Sequence, residues 1–311
     1  MTETISYTPE EVAHILKITR YTVYEMIKRG DLAAYRIGRK MRIEAPDLEN
    51  YIHKSKGCSP AAENQLAKTP RPYAPSQGRL ILCGQDILLD ILARQMEEGM
   101  PAASCLRNYI GSIDGLLALY HGTANAVTTH LWDSDTDSYN LPYIRRLLPG
   151  HHTVVINLAY RMEGFYVAKG NPKQILTWGD LTAPSLRFVN REPGSGARVL
   201  LDEQLRLLDI HHSAIEGYTH EELSHLAVAS CVGRKEADVG LGIEKAALQV
   251  SGIDFIPLKR EQYDLVIRQE DMGTAMMKNL LAILRSQSFH DEISGLGGYD
   301  LARTGEIIAE L

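Results

Sequence analysis

What the chain lacks narrows it first. Its four cysteines, Cys58, Cys83, Cys105 and Cys231, are scattered and form no CxxC pair. That argues against a disulfide framework and a zinc ribbon, and it fits a reducing compartment. The opening residues, MTETISYTPEEVAHIL, have neither a basic n-region nor an apolar h-region, so no secretory signal is expected. The longest uncharged run, 115–132, is broken by His121, Asn125, Thr128, Thr129 and His130 and is no membrane span. No GxGxxG follows a strand, and no GxxxxGK[ST] occurs. PGSGAR at 193–198 lacks the GxSxG spacing of a nucleophile elbow. No nucleophile–base pair, cofactor-lysine motif or long internal repeat is present.

What is present is enough for two domains. The chain has 311 residues, 44% apolar and 23% charged, which allows a sizeable core and suggests about two domains. The net charge of −6 hides an asymmetry. Residues 1–56 carry ten Lys/Arg against eight Asp/Glu, whereas the remainder carries 23 against 31. Residues 55–78 hold four of the 13 prolines and no periodic apolar pattern, so they read as a linker. The expected division is 1–54, a linker at 55–78, and 79–311.

The first segment opens with Thr8-Pro9-Glu10-Glu11, a capping box with proline at the first helical position. Val12, Ile15 and Leu16 follow at helical spacing. After a short break, Thr19 caps a second helix, 20–29, with Val23, Met26 and Ile27 on one face and Gly30 as its stop. A hairpin at 32–43, with Gly38-Arg39 at its tip, and a third helix at 46–52 complete the pattern. Helix, turn, helix, basic hairpin, helix resembles the winged helix-turn-helix domains of the excisionase and MerR type. The resemblance implies binding of double-stranded DNA, with helix 20–29 in the major groove and the hairpin as a wing on the phosphates. Arg20, Tyr21, Thr22, Tyr24, Lys28, Arg39, Lys40 and Arg42 are the candidate DNA-binding residues. The alternative is a solvated charged face on a protein-interaction module.

Residues 79–311 alternate short β runs with helical segments, which predicts an α/β domain with parallel sheets. Strands are expected at 80–84, 126–129, 186–190 and 238–242. Extended segments are expected at 153–169, 255–258 and 263–267. Helices are expected at about 86–96, 113–120, 196–208 and 220–232. Two such sets joined by long extended crossings suggest two lobes with a cleft between them. Four strand-to-helix turns look alike: Gly84-Gln85-Asp86, Gly111-Ser112, Thr129-His130 and Pro193-Gly194-Ser195-Gly196. A helix N-terminus offers unpaired N–H groups and partial positive charge, and so suits an anion. Taken singly, Asp86, Ser112 and Ser195 read as ordinary N-caps. Taken together, they read as an oxyanion site. The pairs His151-His152 and His211-His212 lack helical metal-ligand spacing. Asp133, Asp135 and Asp137 lack the glycine and glutamate of a calcium loop. No cation site is expected.

Seven blocks carry a second resemblance: GSIDGL at 111–116, THL at 129–131, YNLP at 139–142, NLAYR at 157–161, FVNREPGSGAR at 188–198, ADVGLG at 237–242 and LGGYD at 296–300. In this order they are similar to the type II periplasmic-binding-protein fold, in its molybdate-binding branch. The resemblance implies a first lobe of about 79–160 plus the C-terminal part, and a second of about 165–255. It further implies a hinge of two crossing strands and an oxyanion in the cleft, molybdate or tungstate before others. Ser112 and Thr129 would contribute from the first lobe, and Ser195 with the Gly196 amide from the second. Arg191 and Arg198 either touch the ligand or pair with Asp238, and His130 either donates or packs. Gln85 and Ala197 depart from the family pattern. A binding domain of this kind behind a DNA-binding domain implies a cytoplasmic one-component transcriptional regulator, a homodimer with no catalytic residues and no cofactor, with the oxyanion as effector. The alternatives are a regulator sensing sulfate, phosphate or a small organic anion, and behind these an enzyme on the same two-lobe fold.

Overall fold

The computed structural model describes residues 6–16, 18–29, 32–37, 40–48, 51, 79–101 and 104–311. The chain forms two compact units, Met1–Arg71 and Pro72–Leu311. In the first, helix Pro9–Leu16 starts with a reciprocal box. Glu11 N donates to Thr8 Oγ1 at 3.2 Å, and Thr8 N donates to Glu11 Oε2 at 2.7 Å. Thr19 Oγ1 accepts from Thr22 N at 3.2 Å and so starts helix Arg20–Arg29. Val12, Val23, Met26, Leu32, Ile43 and Leu48 make the small core between helices and sheet. That sheet has three strands. β1 (Ser6–Tyr7) pairs antiparallel with β3 (Lys40–Glu44), which pairs antiparallel with β2 (Tyr35–Ile37). β1 is an addition to the sequence reading, because two residues carry no periodicity. Residues 45–48 and 51 are helical, beginning one residue before the expected third helix. The Gly30 stop, the Gly38-Arg39 tip and the 55–78 linker lie outside the described residues.

The second unit is built on one sheet. Its strands are β4 (Arg79–Cys83), β5 (Ser104–Asn108), β6 (Ala126–Thr129), β9 (Thr153–Ala168), β10 (Phe188–Arg191), β11 (Glu221–Glu222), β12 (Val239–Ile243), β13 (Ile253–Arg268) and β14 (Ile307–Glu310). A separate ribbon joins β7 (Trp132–Asp133) and β8 (Ser138–Tyr139). The order across the sheet is β11-β10-β12-β9-β13-β6-β4-β5, with β14 also on β9. The 16-residue strands β9 and β13 run antiparallel through both lobes. They pair with each other along their length; in the first lobe β14 adds to β9 and β6 to β13, and in the second β12 adds to β9. Each lobe buries an apolar layer on both sheet faces. Leu80 and Leu82 point to one side, and Cys83 and Val127 to the other. Phe165 and Val167 oppose Tyr166 in the same way.

Three expectations are corrected. The sheet is mixed, not parallel: β4–β5, β4–β6, β10–β11 and β10–β12 are parallel, while both long crossings are antiparallel. The extended pieces 255–258 and 263–267 are one strand. The polar run Lys259-Arg260-Glu261-Gln262 interrupts the apolar pattern, yet β9 offers it partners throughout, among them Arg161 opposite Glu261. The helix expected at 220–232 begins only at His225, because Ser224 Oγ caps it by accepting from Ala227 N at 3.0 Å. The residues before it form β11 on β10. Where the crossings meet, Gly164 lies opposite Pro257, and the register slips at Leu258. A Cβ on Gly164 would stand 2.2 Å from the Ile256 carbonyl oxygen, so the close approach requires glycine there.

Candidate functional site

The four turns meet. Gly84, Gln85, Asp86, Gly111, Ser112, Thr128, His130 and Ser195 line one cavity between the lobes, closed behind by Arg161, Tyr263 and His225. Its free space is about 20 Å3, little above the ~10–15 Å3 that one water needs. The lobes touch across its mouth. Ile113 N donates to the Gly194 carbonyl at 3.0 Å. Gln85 Nε2 donates to Glu192 Oε1 at 2.9 Å, and Gln85 Oε1 accepts from Arg191 Nη2.

Local hydrogen bonds place the turns. Asp86 Oδ1 accepts from Leu88 N at 2.8 Å and so starts helix Leu88–Gly99. Ser112 opens helix Ser112–Tyr120 and its Oγ accepts from His130 N at 3.3 Å, tying two turns together. Ser195 Oγ accepts from Arg198 N at 3.4 Å and donates to the Glu192 carbonyl at 2.9 Å, opening helix Gly196–Leu207. The Gly196 backbone packs against His130: a Cβ there would lie 2.4 Å from the imidazole. First-turn N–H groups have no partner four residues back; here Ile113 N is taken by the Gly194 carbonyl and Arg198 N by Ser195 Oγ.

A buried ionic group backs the cavity. Arg161 comes from β9 where the strands cross. Its Nη1 donates to Asp86 Oδ2 at 2.5 Å, its Nη2 touches Glu261 Oε1, and its guanidinium lies 3.9 Å from the Tyr263 ring centre. Asp86 Oδ1 also accepts from Tyr299 Oη at 2.8 Å. Glu261 Oε2 is 2.6 Å from His130 Nδ1. Burial opposes ionisation of Glu261, but Arg161 and His130 outweigh it and pull its pKa below the usual carboxylate range. Glu163, on the same crossing, is pushed well above that range by burial and then by Glu261 beside it. Burial, with Arg191 and Arg161 nearby, holds His225 well below its ordinary value, so its imidazole is neutral.

The other expected residues fall elsewhere. Thr129 does not line the cavity: its hydroxyl donates to Asn140 Oδ1 at 3.2 Å, and Thr128 faces the cavity instead. Successive strand residues point to opposite faces, so a one-residue error in β6 exchanges the two. Asp238 pairs with Arg187 at the surface and not with Arg191 or Arg198. Arg191 is fully buried but taken up by Glu192, Gln85 and the carbonyls of Glu222 and Leu223. Arg198 donates to the Arg191 carbonyl at 3.0 Å, pairs with Glu221 and Asp202, and stacks on Tyr218. Ala197 is buried in the second lobe's core. Sequence reading missed Thr128, Arg161, Glu163, Glu261, Tyr263 and His225. The available signal was charge inside apolar strands, as in Arg161 and Glu163 within TVVINLAYRMEGFYVA.

In the first unit, Tyr21 is 74% exposed on helix Arg20–Arg29. Arg20 Nε pairs with Glu10 at 2.9 Å and leans on Tyr24. The Thr22 hydroxyl bonds Thr19 Oγ1 at 2.8 Å, and Arg42 lies on β3, partly exposed. Arg39 and the side chains of Lys28 and Lys40 lie outside the described residues.

An N-terminal helix-turn-helix domain and a two-lobed domain with a polar interlobe cavity define a DNA-binding module joined to a ligand-binding one. The comparisons agree. Residues 6–56 match the helix-turn-helix domain, and residues 93–285 match the PBP superfamily domain, to whose family the chain belongs. It is 42% identical to the uncharacterized protein YvgK of Bacillus subtilis over 311 residues, covering all of both chains. Among solved structures, it resembles a putative phosphate ABC transporter substrate-binding protein with bound phosphate from Clostridium perfringens. There the TM-score is 0.53 and the identity 15%, over 72% of this chain and 99% of that one. It also resembles the regulatory domain of MetR, a LysR family regulator from N. meningitidis (TM-score 0.51, 14% identity, 72% of this chain and 98% of that one). These likenesses show the fold. Among the described residues no helix is long and apolar enough to cross a membrane.

Proposed function

We propose that the protein is a one-component transcriptional regulator, whose N-terminal domain binds duplex DNA and whose C-terminal domain senses a small inorganic oxyanion, molybdate or tungstate before others. In this reading it acts in the cytoplasm as a homodimer and not as an enzyme. The observation that carries the ligand class is the cavity. Its small free space weighs against a large organic anion, and any ligand larger than water would have to part the lobes slightly to enter. Its walls carry Ser112 and Ser195 at the starts of two helices, one from each lobe; the Ser195 hydroxyl, which donates to the Glu192 carbonyl, turns to the anion when it binds. Asp86 and Glu261 already offset Arg161, so the anion is held by dipoles and hydroxyls. Donors from both lobes favour the closed cleft, and only such differential contacts shift a conformational equilibrium.

The test is thermal unfolding of the full chain with molybdate, tungstate, sulfate, phosphate and amino acids. A ligand at about 100 times its Kd stabilises by about 2.7 kcal/mol. Ser112→Ala and Ser195→Ala should each weaken the preferred anion by about 1.5–3 kcal/mol, measured by calorimetry, because a buried charge is left under-bonded. Unchanged affinity in both variants would return Ser195 to a simple helix cap and Ser112 to a tie between two turns.

A further inference from the structure

The crossing strands bring together three side chains that the oxyanion reading does not use as a set. His130 follows β6, Glu163 lies on β9 and Glu261 on β13. One ring nitrogen of His130 and one carboxylate oxygen from each glutamate all lie within 4.8 Å of one another. Glu163 is 1% exposed and Glu261 is fully buried. The Oε1 of Glu163 is buried and makes no hydrogen bond among the described residues, and the same holds for the Tyr139 hydroxyl. Both carboxylates act electrostatically on that hydroxyl. A buried carboxylate oxygen without a partner is costly, and native proteins rarely leave one so.

We propose that His130, Glu163 and Glu261 form a binding site for one divalent first-row transition-metal cation, of the Mn2+, Fe2+ or Zn2+ kind. The ligand set is one imidazole nitrogen and two carboxylate oxygens. Imidazole suits Zn2+ and Fe2+, while carboxylates also suit Mn2+. Ligand bonds of about 2.0–2.2 Å need ligand atoms roughly 3–4 Å apart, so the present spread closes with small side-chain movements. The surroundings are short of positive charge. Arg161 is shared between Asp86 and Glu261, and among the described residues Glu163 makes no ion pair of its own, though Arg161 and Arg191 act on it electrostatically. Arg161 also fixes one oxygen of Glu261, leaving the oxygen now near His130 to the metal. Three protein ligands leave a position for water or for Tyr139. This goes beyond the oxyanion reading, which uses the cavity that His130 also lines but neither glutamate.

The test uses the full chain, treated with a chelator, desalted, and titrated with MnCl2 or ZnCl2 in a buffer free of oxyanions. Binding is followed by calorimetry and by loss of the free Mn2+ paramagnetic resonance signal. One equivalent should bind and raise the unfolding temperature. Glu163→Gln keeps the shape of a protonated carboxyl, and His130→Asn keeps a nitrogen near the Nδ1 position, so both variants should fold. Each should bind at least about 100-fold more weakly, since even an outer-shell partner is worth 10- to 100-fold. Failure of the unaltered chain to bind either metal one-to-one at up to about 1 mM would overturn the site. Equal affinity in both variants would also overturn it, placing the metal on surface histidines such as His151-His152. Neither outcome touches the oxyanion titration, which is run without metal.

Discussion

Asp264 is the residue whose protonation the fold alters most legibly. It sits fully buried on β13 and accepts from Gln262 Nε2 at 2.6 Å, Asn140 Nδ2 at 2.7 Å and Asn157 Nδ2 at 3.0 Å. Burial pushes its pKa up to about 6 despite these amide donors. A raised carboxyl pKa means that the folded chain keeps its proton after the unfolded chain has released one. Below about pH 4 both states are protonated, and the contribution to stability is fully present. As the pH rises from about 4 to about 6 the unfolded state gains by ionising, so stability falls by roughly 3 kcal/mol and then stays level. Urea unfolding of wild type and Asp264→Asn across this range should show the wild type losing stability relative to the variant as the pH rises. A constant difference would mean that Asp264 titrates normally. At this scale the sequence was a partial guide. Ser195 was legible because caps are local chemistry, whereas Ser112 opens its helix behind Gly111 as N-cap and its hydroxyl serves the His130 turn instead. Arg161, Glu163 and Glu261 were not legible, because their partners come from strands far apart in the chain.

Among elements, the helix-turn-helix was the most legible. Its two helices are bounded by short-range caps, Thr8 with Glu11 and Thr19 with Thr22, and these survive intact in the fold. Strands were read less well. A strand's length depends on what pairs beside it, so Pro257 and the charged run after it hid the continuity of β13. The same dependence exchanged Thr128 for Thr129. Helix Arg20–Arg29 and the hairpin carry separate expectations. Replacing Arg39, Lys40 and Arg42 together by Ala should weaken DNA binding uniformly and lower the salt slope by about one per lost phosphate contact. Replacing the exposed Tyr21 by Ala should instead change sequence preference. Gel shifts of the full chain on its own upstream DNA at several salt concentrations separate the two. An unchanged slope in the triple variant would remove the hairpin from the interface.

For the whole molecule, the two long crossings do more than join the lobes. The chain passes between lobes on β9 and β13, and everything between those passages belongs to the second lobe. The second lobe is therefore one uninterrupted stretch of chain. The first lobe is assembled from two stretches separated by that entire insertion, and β6 gains its β13 neighbour only when residues 264–267 arrive. Loop closure over such a separation is slow compared with closure within a continuous stretch. The order of events on refolding follows: the inserted lobe forms its sheet first, and the lobe that holds both ends of the ligand-binding unit completes later. Pulsed hydrogen exchange should find the amides of Val239–Ile243 protected before those of Ala126–Thr129. Simultaneous protection would show instead that the two lobes fold as one cooperative unit, with the crossings as its nucleus.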